Sequence, residues 1–178
     1  MQKLNSTSLR ISNPSEEEIK KIKRNDIYII LDNVLDTYNI GAVFRLADAV
    51  AAKKIYLCQG SETPPNSRIQ KASIGTWQWV PWEYCLSASE AILSLKKSIP
   101  EVSVVGIELT DESISYDAFN YPLPLALVIG HETDGISEAT LQNCDKVVQL
   151  PMFGVNISLN TMVSLGIVLY EVIEKNSL

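Results

Sequence analysis

An arginine follows a possible helix start in the segment of the chain best suited to holding an anion. Asn39 and Gly41 could begin a helix whose first N–H groups are free, and Arg45 comes in its second turn. The fork of a guanidinium group matches the oxygens of phosphates and carboxylates. The arrangement predicts an anion site, although the same spacing also fits a helix that turns Arg45 to solvent.

Two glycines enclose two carboxylates in a second segment, which runs from Gly130 to Ser137. Glycine permits positive φ angles and a close approach of the backbone to a ligand. Glu132 could accept a hydrogen bond from a ligand amine or hydroxyl, or it could hold Arg45. A plain turn with Ser137 as a helix cap is the alternative interpretation of this segment.

A third segment carries no charge, because no Asp, Glu, Lys or Arg occurs between Lys146 and Glu171. A stretch of this length without charge predicts burial, yet it contains Asn156, Ser158 and Asn160. Buried polar groups cost free energy unless they are paired, so the segment predicts a ligand-binding element. The alternative is a core strand, a surface turn and a core helix capped by Ser158.

Composition narrows the possible classes of protein. The chain has 178 residues, which predicts one domain, and a formal net charge of −6. Three widely spaced cysteines and a single histidine make a metal site or a disulfide framework improbable and favour a reducing cytoplasm. No signal peptide, anchor or membrane span is expected. The negative charge argues against a broadly basic nucleic-acid surface but leaves room for local basic patches, such as Arg68 with Lys71.

Short apolar runs alternate with helical patterns, which predicts an α/β domain with a mostly parallel sheet flanked by helices. The predicted strands cover residues 27–31, 55–58, 78–80, 102–109, 125–129 and 147–150. The predicted helices cover residues 16–24, 39–52, 67–74, 87–98, 137–144 and 158–175. We expect residues 1–25 to form a helical extension and residues 26–178 to form the single domain. Because ligands bind at the carboxyl ends of parallel strands, the three segments are expected to meet there.

Taken together, the three segments resemble the signature motifs of the SpoU (TrmH-like) RNA 2′-O-ribose methyltransferases of the SPOUT superfamily. The first motif, N-x-G-A-x-x-R, stands at residues 39–45. The second, an apolar strand followed by G-x-E-x-x-G-[ILV]-[SP], stands at residues 128–137, and the third, [IL]-P-M-x-G followed by S-L-N, at residues 150–160. Each motif alone has low specificity, but three in the family's order and spacing are strongly specific.

The resemblance implies a parallel α/β sheet with a deep C-terminal trefoil knot, an exception to the rule that chains are unknotted. It also implies S-adenosylmethionine as the cofactor, no metal, and a homodimer with the site near the interface. The residues implied to line the cofactor pocket are Ile107, Glu108, Gly130, Leu150, Met152, Ser158 and Leu159.

The implied reaction is methyl transfer to a ribose 2′-hydroxyl of RNA, either tRNA or rRNA. The implied catalytic residues are Arg45, Asn39, Glu132, Ser158 and Asn160. The expected RNA contacts are Arg45, which the resemblance implies, and the local basic patch of Arg68 and Lys71. Because an ordinary guanidinium stays charged, Arg45 is better suited to placing a phosphate and stabilising an alkoxide than to acting as a simple base. The acidic composition, together with Met162 where many relatives have a small residue, leaves an alternative: a weak or inactive RNA- or partner-binding module on the same fold.

Overall fold

The computed structural model describes residues 14–178 and is built around a seven-stranded parallel sheet. The strands are β1 Asn25–Asp32, β2 Ala52–Cys58, β3 Trp82–Cys85, β4 Ser103–Ile107, β5 Ile114–Ser115, β6 Leu125–Gly130 and β7 Lys146–Gln149. The helices are α1 Glu16–Lys21, α2 Thr37–Ala49, α3 Ser67–Ser73, α4 Ala88–Ser98, α5 Glu138–Leu141 and α6 Thr161–Lys175. The strand order is β3-β2-β1-β6-β4-β7-β5, and every adjacent pair is parallel. The predicted α/β class with a flanked parallel sheet is confirmed.

The core lies on both faces of the sheet. Side chains of β1 alternate between the two layers, with Ile29 in the layer of α2 and α6 and Ile30 in the layer of α4. Strand β6 is buried at all six positions, as expected for a parallel strand covered on both faces. This burial explains why β1 and β6 are continuous apolar runs in the sequence.

The two central strands deliver two of the predicted segments to one edge of the sheet. Strands β1 and β6 are neighbours, and Asp32 stands in register with Gly130 at their carboxyl ends. Strand β7 is two positions from β6 in the sheet, with β4 between them. Its carboxyl end leads into residues 150–160. The expected meeting of the three segments at the carboxyl edge is therefore confirmed.

The strand predicted at residues 78–80 is wrong. Residues Thr76–Gln78 form a 3-10 turn, and the strand that pairs with β2 is β3. The N–H groups of Trp79 and Val80 both donate to the Thr76 carbonyl, and the Trp79 indole donates to Asp48 at 2.6 Å. These bonds tie the segment to α2, so pairing with the sheet begins only after it.

Several element ends differ from the predicted ones. Helix α2 starts at Thr37 after the N-cap Asp36, and it stops at Ala49 because Ala51 has a φ of 48°. Helix α6 starts three residues later than predicted, at Thr161, because Asn160 rather than Ser158 is its cap. Helices α1 and α5 and strand β4 are shorter than predicted, and β5 was not predicted. Of the predicted N-terminal extension, residues 1–13 lie outside the described residues.

Candidate functional site

A cleft of about 220 Å³ lies at the carboxyl ends of β4, β6 and β7. Its walls are the end of β4, the loop of residues 131–137 and the loop of residues 150–160. Every residue that the sequence assigned to the cofactor lines this cleft: Ile107, Glu108, Gly130, Leu150, Met152, Ser158 and Leu159. The fold thus brings together residues that lie up to 52 positions apart in the chain.

The loop after β6 closes on itself through its backbone. The His131 N–H donates to the Gly135 carbonyl at 3.0 Å, and the Gly135 N–H donates to the His131 carbonyl at 2.9 Å. Two further backbone N–H groups of the loop donate to His131 Nδ1. Gly135 has a φ of 70°, and a Cβ on Gly130 would overlap the backbone of Gly135. Both glycines are therefore required by the shape of the loop.

Two carboxylates, from the carboxyl ends of the strands on either side of β6, bind the last residues of this loop. Glu108 Oε2 accepts from the Ile136 N–H at 2.9 Å, so the carboxylate of this predicted cofactor residue is already engaged with the loop. Asp32, only 2% exposed, accepts from the Ser137 N–H at 2.9 Å and from its hydroxyl at 2.7 Å. The Ser137 side chain therefore does not cap α5, which argues against the plain-turn interpretation.

Asp32 is a positioning residue that the sequence analysis missed. It ends the apolar run of β1, where an ionised side chain would be costly unless it were bonded. The sequence feature that could have identified Asp32 is a carboxylate at the end of a buried strand, because such a group needs hydrogen-bond donors. Ser137 supplies them.

Glu132 joins the loop after β6 to the loop after β1. Its carboxylate accepts from the backbone N–H groups of Leu35 and Asp36, at 3.2 and 3.0 Å, and from Asn39 Nδ2 at 3.0 Å. Partial burial favours the neutral form, but the hydrogen bonds from Asn39 and from the backbone outweigh it and lower the pKa of Glu132. The expectation that Glu132 could hold Arg45 is wrong, because its oxygens bind the start of α2 instead.

The Glu132 contacts are expected to make this junction sensitive to acid. A carboxyl with a lowered pKa in the folded state contributes stability above its unfolded pKa, and that stability is lost as the pH falls through the folded pKa. At pH 7 we expect Glu132→Gln to lower the free energy of unfolding by about 1 kcal/mol. The difference from the unmodified protein should shrink below about pH 4. Urea unfolding at several pH values measures it.

Glu112→Gln is the matched control for this experiment, because Glu112 is exposed and makes no hydrogen bond or ion pair within residues 14–178. It should leave the unfolding free energy unchanged. An equal effect of Glu132→Gln at pH 7 and at pH 3 would contradict the assigned role of the carboxylate charge.

Asn39 connects the first and third segments. The buried Asn39 donates to Glu132, while its Oδ1 accepts from Asn160 Nδ2 at 3.1 Å. Asn160 Oδ1 in turn accepts from the N–H groups of Met162 and Val163 at the start of α6. These bonds link one residue from each of the three predicted segments in a continuous chain, Glu132–Asn39–Asn160.

Arg45 is exposed on α2, two turns beyond the helix start. Its guanidinium has no hydrogen bond or ion pair with any other residue in the range 14–178. Arg68 and Lys71 on the neighbouring helix α3 are also exposed, and their side chains likewise lack an acidic partner within that range. Arg45 is therefore outside the Glu132–Asn39–Asn160 chain, and its charge is available to a ligand.

The loop of residues 150–160 is not buried, which contradicts the expectation drawn from its lack of charge. Phe153 is 95% exposed and Val155 is 99% exposed, and Ser158 is exposed as well. The backbone groups of residues 152–159 make no hydrogen bond to any described residue. The segment leaves the sheet after β7 and spans open space until Asn160 caps α6, so its apolar side chains have no core to enter.

Some classes of site are not seen in the part of the chain that is described. Within residues 14–178, no group of three or more His, Cys, Asp or Glu side chains could hold a metal ion. In the same range, no helix is both long and apolar enough to cross a membrane.

Comparison with known proteins gives consistent matches. Residues 26–170 match the model of the SpoU rRNA Methylase family. The 23S rRNA (guanosine-2′-O-)-methyltransferase RlmB of Neisseria meningitidis serogroup B is 30% identical over 156 residues, which cover 88% of this chain and 61% of RlmB. This chain therefore spans less than two thirds of that relative's length.

Solved structures show the same fold. The A. aeolicus TrmH/SpoU tRNA modifying enzyme superposes with a TM-score of 0.79 at 28% identity, covering 89% of this chain and 79% of that one. An AdoMet-bound rRNA methyltransferase from Sinorhizobium meliloti superposes with a TM-score of 0.76 at 26% identity. The match covers 86% of this chain and 57% of that one. With three motifs at one edge of the sheet and a family match over most of its length, the chain belongs to the SpoU rRNA methylase family.

Proposed function

We propose that this chain is an S-adenosylmethionine-dependent methyltransferase that acts on a ribose 2′-hydroxyl of tRNA or rRNA. The observation that carries the proposal is the single cleft lined by all seven expected cofactor residues and linked through Glu132 and Asn39 to the helix that bears Arg45. The names of the relatives support it, since RlmB is named a guanosine 2′-O-methyltransferase of 23S rRNA and the A. aeolicus protein a tRNA modifying enzyme.

The cleft suits an adenosyl ligand. Leu150, Met152 and Leu159 supply apolar contact area, and the backbone groups of residues 152–159 are free of partners among the described residues. An adenine ring has apolar faces and a polar edge, so apolar walls beside free N–H and C=O groups match it. When bound, S-adenosylmethionine supplies a methyl group activated by its positively charged sulfur.

Arg45 is assigned to the substrate. Its free, exposed guanidinium binds an RNA phosphate and stabilises negative charge on the 2′ oxygen as the hydroxyl releases its proton to solvent and accepts the methyl group. Ser158 lines the cleft and contacts the reacting groups. Asn39, Glu132 and Asn160 hold the three loops in register, so that the ribose oxygen is aligned with the methyl group. This intact set of contacts argues against an inactive binding module.

We also propose the trefoil knot. The start of α6 is tied to the end of β6 through the Thr161 hydroxyl, which donates to the Gly130 carbonyl at 3.4 Å. The end of α6 contacts the connection between β4 and β6, where Lys175 Nζ donates to the Phe119 carbonyl and Asn176 Nδ2 to the Tyr121 carbonyl. A knot requires the chain to pass through an earlier connection, and these bonds bring α6 into contact with such a connection. Tracing the backbone of residues 108–175 in a crystal structure tests it.

A homodimer is proposed from the exposed apolar surface near the cleft. Val163, Ile167 and Tyr170 are spaced as one face of α6, and each remains 37% exposed or more. Phe153 and Val155 in the preceding loop add to this surface. Contiguous exposed apolar area of this kind marks an interaction site, and a second copy of the chain would cover it. A monomer mass in sedimentation equilibrium at micromolar concentration would contradict the dimer.

The proposed function is tested by methyl transfer. The purified protein is incubated with S-adenosylmethionine labelled in its methyl group and with unfractionated tRNA or rRNA, and the RNA is digested to nucleosides. We expect the label in 2′-O-methyl nucleosides identified by mass spectrometry. Tight cofactor binding without label in any RNA fraction would overturn the function, and label on a base atom would overturn the assigned acceptor.

A further inference from the structure

Ile74 holds a backbone conformation that β-branched residues rarely adopt. It ends α3 with φ 53° and ψ 36°, in the left-handed region, where its Cβ is crowded. Helices that end in this way usually place glycine there, yet here glycine comes one residue later, with its own φ of 90° at Gly75. The Ile74 residue is 61% exposed, so packing within the chain does little to offset the strain. Backbone strain that packing does not offset is typical of functional sites, so the strain at the exposed Ile74 indicates a role in binding rather than in core packing.

The strained turn lies along α2, beside the helical turn that carries Arg45. Helix α3 reaches α2 at Gly41, where an added Cβ would be 3.1 Å from the Ser73 nitrogen. On the other side of the strained turn, the Trp79 indole donates to Asp48 at 2.6 Å. Since Gly41 and Asp48 stand on either side of Arg45 in the sequence of α2, the segment between Ser73 and Trp79 runs alongside the part of the helix that carries Arg45.

The surroundings of this turn favour a polyanion. Arg45, Arg68 and Lys71 are exposed cations on α2 and α3, and none has an acidic partner within the described range. By contrast, Lys53 and Lys54 each pair with a carboxylate. An exposed aliphatic side chain among unpaired cations suits nucleic acid, in which charged phosphates alternate with flat apolar base faces.

We propose that Ile74 is a wedge that packs against the face of an unpaired RNA base next to the ribose to be methylated. The proposal rests on the proposed function, and it adds a substrate contact that none of the three motifs contains. Aliphatic side chains, isoleucine among them, insert against bases and unstack them in other protein–nucleic acid complexes. The strained backbone holds the side chain in solvent, where a base can reach it, while the neighbouring cations hold phosphates.

Replacement of Ile74 by glycine tests the wedge, because it relieves the strain and removes the side chain together. We expect the melting temperature to rise by about 2–4 °C. We expect the affinity for unfractionated tRNA to fall about tenfold, with an unchanged dependence on salt, since a base contact releases no counterions. Arg68→Ala should instead make the dependence of the logarithm of the binding constant on the logarithm of the salt concentration less steep by about 0.7. Cofactor affinity should not change.

Ala51→Gly is the matched control, because Ala51 has a φ of 48° but lies at the far end of α2. It should raise the melting temperature while leaving tRNA affinity as it was. An unchanged RNA affinity of Ile74→Gly, a lower melting temperature of that variant, or no binding of either tRNA or rRNA by the unmodified protein would each overturn the wedge. Weakened binding by Ile74→Gly, with no methyl transfer by the unmodified protein, would support the wedge and overturn the proposed function instead.

Discussion

Arg45→Ala is expected to slow methyl transfer to RNA by about 10²–10³-fold. The guanidinium is exposed and unpaired within residues 14–178, so its removal takes away charge that would act on the substrate and the developing alkoxide. The free energy of unfolding should stay within about 0.5 kcal/mol, because the side chain makes no hydrogen bond or ion pair within residues 14–178 that could be lost. Single-turnover rates with saturating cofactor measure the effect, and calorimetry should give an unchanged cofactor affinity.

Arg45→Lys tests whether methyl transfer needs only the positive charge of Arg45 or also its planar guanidinium group. A lysine keeps the positive charge but loses the planar fork, so we expect it to restore only part of the rate. Arg68→Ala is the companion control, since Arg68 is an equally exposed cation on the adjacent helix and should affect RNA affinity more than the rate. If Arg45→Ala transferred the methyl group at a rate within threefold of that of the unmodified protein, Arg45 would have no role in the reaction.

Gly130→Ala should abolish tight cofactor binding. Its Cβ would overlap the backbone of Gly135 across the loop after β6, and backbone atoms cannot move aside as a flexible side chain can. We expect the free energy of unfolding to fall by about 3 kcal/mol. We expect the loop to open, which removes one wall of the cleft and weakens cofactor binding by about 100-fold. Calorimetric titration with S-adenosylmethionine and urea unfolding measure the two effects.

Gly154→Ala provides the control for the same substitution in the same cleft region. An added Cβ at Gly154 would have no atom within 4 Å, and this glycine does not have a positive φ. Both stability and cofactor affinity should therefore match those of the unmodified protein. Unimpaired cofactor binding by Gly130→Ala would show that the closed form of the loop is not needed.

The structure brings the predicted site residues together, whereas several of the predicted elements around them have other bounds. Strands β1 and β6 are unbroken apolar runs, so their carboxyl ends were placed correctly and with them Asn39 and Glu132. The residues expected to bind the cofactor came from the resemblance, and all of them line one cleft. Periodicity alone would not have found Ile107 and Glu108, which stand at the end of a strand without a sharp motif.

The failures have physical causes. The absence of charge in residues 150–160 was taken as a sign of burial, but an uncharged segment can equally face a ligand or a second chain, and Phe153 shows that it is exposed. A strand is predicted at residues 78–80, but Thr76–Gln78 form a 3-10 turn and the Trp79 indole donates to Asp48 on α2, a contact that no local pattern contains. The role of Asp32 depends on Ser137, a residue 105 positions away, and no local pattern contains that distance.

The bonds that join the three loops have a consequence for the order of events during synthesis. Glu132 meets Asn39 across 93 positions, and Asn160 meets Asn39 across 121. Contacts between residues so far apart form late, because a long stretch of chain must be ordered before they can close. A ribosome that has released β1 and α2 therefore holds a chain with an exposed Arg45 but no assembled site. The three loops can be joined only after the start of α6 has emerged, so the proposed methyl transfer is expected only from a chain synthesised at least to that helix.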